Sequence, residues 1–491
     1  MVVTTGSDGI TPREGWSSRS AFVLAAIGSA VGLGNMWRFP AEAGANGGGA
    51  FVLFYIFCVL LIGLPILLSE VLIGRHGQSS APESVRKVAA ESGKSSRWAI
   101  LADFGVLGGF LVLSFYCVVG GWVLYYVGVF AQDLVTTGIT GTAFEGRPAD
   151  DIGGLWPGLT ENGALMAGLH VLFLGITFYF VSRGVSKGIE WVATWLMPAF
   201  FVLFLGITIY GAFAGNFSEA VTYLFTFDFS KLTGPVMLAA VGQAFFSLSL
   251  GVAGMMTYGA YVGRDVNLAN TSGIIAGADT AVALIAGLCI FPIVFAAGLQ
   301  ATAGPGLMFQ SLPLAFQNMP FGSLIGLLFF AMVFFAALTS SVSLLEAPTA
   351  WMKGRFGMSR GAATGIVAGG ALVLGALAAL FFGVPVPGIS SLGLFAGQDT
   401  FGVLDTVTSK MLMPVGAILT SVFVGWVASR KLIESENGLS GGMEAFFMFL
   451  VRFFCPILLT LILLGGIFPD QTAALFEAVG LGAAEAAGEA G

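Results

Sequence analysis

Gly28-Ser29-Ala30-Val31-Gly32-Leu33-Gly34-Asn35 lies in the middle of one apolar run, over about 16–41, and Ser247-Leu248-Ser249-Leu250-Gly251-Val252-Ala253-Gly254 lies in the middle of another, over about 234–261. A plain membrane helix would not choose so much glycine, because each glycine costs ~1 kcal/mol relative to alanine. Both stretches therefore predict helices that break halfway across a bilayer. A broken helix offers unpaired carbonyls to a cation and half-helix N-termini to an anion. Glycine in one span alone would read as close helix packing. Matching positions in two halves of a chain, with hydroxyls at Ser247 and Ser249, point instead to a central transport site.

The rest of the chain supports a membrane setting. Of 491 residues, 56% are apolar and only 10% charged, against ~25% charged in an ordinary soluble domain. The apolar runs are continuous, which excludes the alternating pattern of a membrane β-barrel. Eleven spans are expected, near 16–41, 48–74, 98–130, 164–182, 188–213, 234–261, 270–299, 323–352, 360–383, 400–428 and 443–467. The expected fold is all-α, with 14–213 and 234–428 as two inverted five-helix repeats, 443–467 as an eleventh helix and 468–491 as an acidic tail too polar to span. The uncharged segment at about 302–322, interrupted by Pro305, Pro313 and Pro320, reads as a re-entrant or lid segment.

With the N-terminus cytoplasmic, fifteen of the twenty Lys and Arg residues fall on inner segments and only Arg147 and Lys231 on outer loops. That asymmetry places the N-terminus inside and, with an odd span count, the C-terminus outside the plasma membrane. The net charge of −7 leaves no basic footprint for nucleic acid. Cys58, Cys117, Cys289 and Cys455 lie in apolar runs without a C-x-x-C pair, and His76 and His170 are far apart, so neither a disulfide framework nor a metal cluster is expected. No nucleophile–base pair or cofactor motif suggests an enzyme. A channel would need a continuous polar pore, whereas the polar groups here converge on one place.

The stretch Gly28 to Pro40, followed by Asn46-Gly47-Gly48-Gly49-Ala50-Phe51, resembles the first-span signature of the neurotransmitter:sodium symporters. Gly242 to Ser249 resembles the sixth span of that family, and Ala336-Ala337-Leu338-Thr339-Ser340-Ser341 its eighth. The eleven-span form resembles prokaryotic members that carry hydrophobic amino acids; the twelfth span of the bacterial leucine transporter is absent.

From the residues alone, Thr339 and Ser340 would most simply back-bond to carbonyls one turn earlier. The resemblance implies instead a sodium site of the Thr339 and Ser340 side chains with the carbonyls of Gly28, Val31 and Ala336, since sodium is a hard cation that takes oxygen ligands. It implies a second site from the Ala30 carbonyl, Asn35, Ser247 and a group in the seventh span, where the family has Asn and this chain has Asp279. A fixed carboxylate there would replace the chloride used by animal members and could carry a proton on the empty return.

Gly32 stands where monoamine carriers of the family have Asp, so the substrate is expected to bring its own carboxylate, bound by Tyr116. The resemblance lines the substrate pocket with Ala30, Gly32, Leu33, Gly34, Val112, Tyr116, Phe246, Ser247, Ser249, Val252, Ser340 and Leu344, an uncharged set suited to an aliphatic or aromatic amino acid. Arg38 and Asp405 match the outer gate pair, with Phe246 as the lid between them and the substrate, and Arg13, Trp16 and Tyr261 match the inner latch. The latch's usual aspartate is replaced by Gly354, followed by Arg355. Gly188 and Pro198 resemble a motif whose unwinding admits water to a sodium site, and Glu70 a structural acid. Glu42 and Glu346 have no expected role beyond hydrogen bonding. The expected activity is sodium-coupled, chloride-independent import of a hydrophobic amino acid by a monomer or weak dimer. The alternatives are symport of a small amino acid or osmolyte, or a sensor that binds without transporting.

Overall fold

The computed structural model describes residues 15–300 and 304–478. Among them there is no β-strand. The apolar runs fold as α1 (Arg19–Ala30), α2 (Gly34–Ala45), α3 (Gly49–Gly77), α4 (Ser96–Thr137), α5 (Gly163–Ser182), α6 (Val185–Ala214), α7 (Gly234–Ser247), α8 (Gly254–Gly259), α9 (Leu268–Ala296), α10 (Gly322–Phe356), α11 (Arg360–Leu380), α12 (Thr400–Val427) and α13 (Gly441–Ile467). Nine of these are long and apolar enough to cross a bilayer singly, and α1 with α2 forms a tenth span bent by 47°. In place of a straight sixth span stand α7 and the short α8.

Local chemistry sets the helix starts. Ser18, Asn162, Asn267, Ser359 and Asp399 each cap a following helix by accepting a hydrogen bond from an amide in its first turn. Such a cap is worth ~1 kcal/mol. The glycine-rich stretches break where the sequence predicts, at Val31–Leu33 and at Leu248–Ala253.

Packing sorts the helices. The most apolar window of α4 is 83% buried and that of α10 67%, against 33% for α5, α6 and α13. α4 and α10 pack along each other at the centre, with α1 against α10 and α8 against both. The four cysteines are buried and unpaired. The described part of the 302–322 segment, 304–322, contains the turn Leu307–Ser311 and the short helix Leu312–Gln317, with Phe309 stacked on Trp156. It is a packed cover rather than a span.

Candidate functional site

The break in the first span is held open by one local side chain and two from elsewhere in the fold. The Gly32 amide donates to Asn35 Oδ1 at 3.1 Å, and the Leu33 amide to the Tyr116 hydroxyl at 3.3 Å. The Gly34 carbonyl accepts from Gln243 Nε2 at 2.8 Å. A Cβ on Gly32 would run into Ser340 Oγ and come within 2.9 Å of the Tyr116 hydroxyl, so any side chain here would have to displace both hydroxyls. In the second break Ser249 and Ala253 adopt φ of 52° and 57°. That left-handed backbone costs a non-glycine residue ~1–2 kcal/mol. The fully buried Glu70 offsets part of this cost by accepting a 2.8 Å hydrogen bond from the Gly251 amide.

Two clusters of oxygen flank the first break. In one, Ser340 Oγ lies 3.2 Å from the Gly28 carbonyl, 3.3 Å from that of Ser29 and 3.4 Å from that of Val31. Thr339 Oγ1 lies 3.0 Å from the Ala336 carbonyl, back-bonded as ordinary helix chemistry would have it, and its Cβ faces Gly28. One hydroxyl cannot donate to three carbonyls at once, so this convergence is a set of acceptors facing a single point, which suits a hard cation.

In the other cluster, Asn35 Nδ2 donates to Ser247 Oγ at 2.9 Å and to Asp279 Oδ1 at 2.8 Å. Ser247 Oγ donates to Asp279 Oδ2 at 2.7 Å. Asp279, Asn35 and Ser247 are all buried. The Tyr55 hydroxyl closes the cluster at 3.5 Å from both Ser247 Oγ and Asp279 Oδ2. Among the described residues no lysine or arginine hydrogen-bonds to this carboxylate, and a buried carboxylate without an ionic partner calls for a cation or a proton.

Beside the first cluster, with Ser340 in its wall, is a cavity of about 30 Å³. Ala30, Gly32, Leu33, Gly34, Val112, Tyr116, Phe246, Ser249, Val252, Ser340 and Leu344 line it, as the sequence reading expects, together with Met413. Ser247 does not; its hydroxyl turns to Asp279. Leu33, Tyr116 and Phe246 also line a second cavity of about 300 Å³ that contains Arg38 and Asp405. Phe246 thus stands between the two, where a lid is expected.

The expected Arg38–Asp405 ion pair is not made. Arg38 lies 3.8 Å from Glu42, one turn further along the same helix, and its guanidinium covers the Phe246 ring at 4.3 Å. The larger cavity separates it from Asp405. At the opposite end, Trp16 Nε1 donates to the Tyr258 carbonyl at 3.2 Å, and the Trp16 ring packs edge-on to Tyr261. Arg13 lies outside the described residues. The Tyr261 hydroxyl donates to Glu346 Oε1 at 2.7 Å, and Glu346 also pairs with Arg360. Glu346, which had no assigned role, thus joins the latch residues to the start of α11. The Gly188–Pro198 stretch is helical here, entered through a π turn over Val185–Ile189. Gly188 fits because any Cβ would collide with the Phe180 carbonyl.

Tyr55, Gln243, Met413 and Arg360 escape the sequence reading. Each is an ordinary residue of an apolar or amphipathic helix, and only tertiary packing brings it to the site. A hydroxyl or amide inside an apolar run was the one signal available for Tyr55 and Gln243.

The family model for the sodium:neurotransmitter symporter family matches residues 13–145 and 147–476. The chain is 36% identical over 454 residues to YhdH of Bacillus subtilis, named an uncharacterized sodium-dependent transporter, covering 91% of this chain and 96% of that one. It is 30% identical over 470 residues to MJ1319 of Methanocaldococcus jannaschii, similarly named, covering 91% and 89%. The crystal structure of MhsT in complex with L-phenylalanine matches with a TM-score of 0.83 at 39% identity, covering 93% of this chain and all of that one. The two broken helices, the shared architecture and the match along nearly the whole chain lead to one conclusion: this is a multi-pass membrane protein, a secondary transporter rather than an enzyme, and it belongs to the sodium:neurotransmitter symporter family.

Proposed function

We propose that the chain imports a hydrophobic amino acid, aliphatic or aromatic, by alternating access coupled to two sodium ions and independent of chloride. The observation that carries this reading is the central cavity. Its lining has no charged side chain, and at one end the Tyr116 hydroxyl and the amide of Leu33 meet beside the Gly32 gap. That end suits a carboxylate and the apolar remainder suits a hydrocarbon side chain. The L-phenylalanine bound to MhsT supports the same class of substrate.

Thr339, Ser340 and the carbonyls of Gly28, Val31 and Ala336 would hold one sodium. The Ala30 carbonyl, Asn35, Ser247 and Asp279 would hold the other. Ser340 belongs both to the first oxygen cluster and to the cavity wall, so substrate and cation bias the same broken helix. Differential binding to two conformations is what coupling requires. Asp279 supplies the negative charge that would otherwise call for chloride, and it could return protonated once its cation has left. Phe246 and Arg38 would close the outer route, and Trp16, Tyr261 and Glu346 the inner one. Residues 14–213 and 234–428 would be the two moving repeats, with the N-terminus cytoplasmic and the C-terminus extracellular.

A second reading, a small amino acid or osmolyte, draws on the cavity's size of about 30 Å³. A binding screen of the twenty amino acids, with glycine betaine added, run with and without sodium decides between them. Sodium-dependent binding of leucine or phenylalanine supports the first reading, and binding of glycine or betaine alone supports the second. Counterflow of labelled substrate in proteoliposomes separates either from a sensor.

A further inference from the structure

A groove of about 560 Å³ opens on the side of the bundle, away from the transport axis, between α4 and α11 and against the end of α10. It is larger than both axial cavities, at about 300 and 30 Å³, and within the ~300–1,000 Å³ range of small-molecule sites. Val106, Leu107 and Phe110 form one wall and Ile366 and Val367 the other. Leu107 and Ile366 are 47% and 52% exposed, so the groove opens outward to the surroundings of the bundle. Gly370 keeps its floor open, since a Cβ there would already sit 3.0 Å from the Phe110 ring.

The charges gather at one end, on the lysine- and arginine-rich face of the bundle. Arg86 and Arg355 both line the mouth. Arg86 is shared with Glu83, three residues before it. Arg355, the residue beside the missing latch aspartate, makes no ion pair among the described residues. Asp103, the single acid in the lining, accepts a hydrogen bond from Trp351 Nε1 at 3.2 Å. The groove is therefore an outward-opening apolar slot with a cationic mouth.

We propose that this groove binds one anionic phospholipid, its acyl chain along Val106, Phe110 and Val367 and its phosphate between Arg86 and Arg355. Guanidinium groups take phosphate oxygens two at a time, and basic pockets between membrane helices select acidic head groups. A zwitterionic lipid would offset the attraction with its own ammonium. A soluble anion would leave the apolar walls unused.

Native mass spectrometry of the detergent-purified full chain tests this, with titration by phosphatidylglycerol or phosphatidylcholine of identical chains. Phosphatidylglycerol should occupy the tightest site about 25-fold more strongly, about fivefold for each arginine. Arg355→Gln should weaken it about fivefold, and Arg86→Gln with Arg355→Gln about 25-fold, leaving phosphatidylcholine unchanged. Ile366→Trp, at an exposed position, should weaken both lipids by narrowing the slot. The melting midpoint in detergent checks that each variant folds. Equal binding of the two lipids, or undiminished phosphatidylglycerol binding by the double variant, would overturn the proposal. So would full displacement of the lipid by glycerol 3-phosphate, which has the head group and no chain.

Discussion

Asn35 Nδ2 donates a 2.8 Å hydrogen bond to Asp279 Oδ1, tying the first turn of α2, just past the break in the first span, to the middle of α9. Ser247, at the second break, donates to the other carboxylate oxygen at 2.7 Å. Both broken helices are thereby fastened to one fully buried carboxylate. An isolated buried charge is costly, and a cation or a proton relieves it. Wild-type uptake should therefore be the same in chloride and gluconate. Asp279→Asn should make uptake rise with chloride and should abolish substrate-driven alkalinisation inside acid-loaded liposomes. A chloride requirement in the wild type would defeat the charge-replacement argument; a constant internal pH during uptake would remove only the proton.

Thr339→Ala with Ser340→Ala removes both hydroxyls of one oxygen cluster. Their hydrogen bonds are to helix and break carbonyls, and a neutral hydrogen bond nets only ~0.5–1.5 kcal/mol. The double variant should fold, with a melting midpoint within a few degrees of wild type, yet lose sodium-coupled uptake. Each sodium supplies ~2.3 kcal/mol per 100 mV and ~1.4 kcal/mol per tenfold gradient. Two ions thus give roughly 7 kcal/mol, and about 5 kcal/mol, or roughly 10⁴-fold accumulation, once one proton is carried out against the potential. Retained sodium-driven uptake by the variant would remove this cluster from the coupling.

Val252 and Leu344 both line the cavity, one from the second break and one from α10. Val252→Phe should reject the largest substrates first, because overpacking a filled pocket costs ~1–3 kcal/mol. The expected result is a loss of phenylalanine affinity of about tenfold, with smaller aliphatic amino acids less affected. Competition binding measures it; an unchanged rank order would place the side-chain pocket elsewhere.

Glu436, on the short helix Arg430–Asn437 between α12 and α13, pairs with Arg75 at 2.8 Å and with His76 at 3.1 Å. Burial works to raise its pKa, but the His76 hydrogen bond, then the charge and hydrogen bonds of Arg75, outweigh burial and hold it below the ordinary glutamate value of 4.5. A depressed carboxylate contributes stability that is present above its unfolded pKa and is lost as pH falls through the folded one. The melting midpoint should therefore drop below pH 4.5. Glu436→Gln should flatten that part of the profile and cost about 2–3 kcal/mol near neutral pH, since it leaves Arg75 without its carboxylate. An identical acid slope in the variant would assign the pH dependence to other groups.

What could be read from sequence follows the range of the signal. The breaks at Val31–Leu33 and Leu248–Ala253 are local consequences of glycine, and both fall where the sequence puts them. The cavity lining from Ala30 to Leu344 follows from helices whose matching motifs fix the register. Met413 joins that lining from α12 without a motif of its own, because only packing brings its turn beside Gly251. The Arg38–Asp405 pair fails for a different reason. Pairing across a cavity depends on the conformation of the carrier, and a nearer acid, Glu42, stands one helical turn away. The Glu346–Arg360 pair joins two helices across the Gly357–Ser359 turn, whose glycine and serine cap mark the turn but not the pair.

The most direct measurement is uptake of labelled L-leucine and L-phenylalanine into chloride-free proteoliposomes with an inward sodium gradient. The account predicts accumulation well above equilibrium, abolished when external sodium is replaced by choline and when the gradient is dissipated. Equal uptake without sodium, or sodium-driven uptake of glycine or betaine with neither hydrophobic amino acid transported, would contradict it.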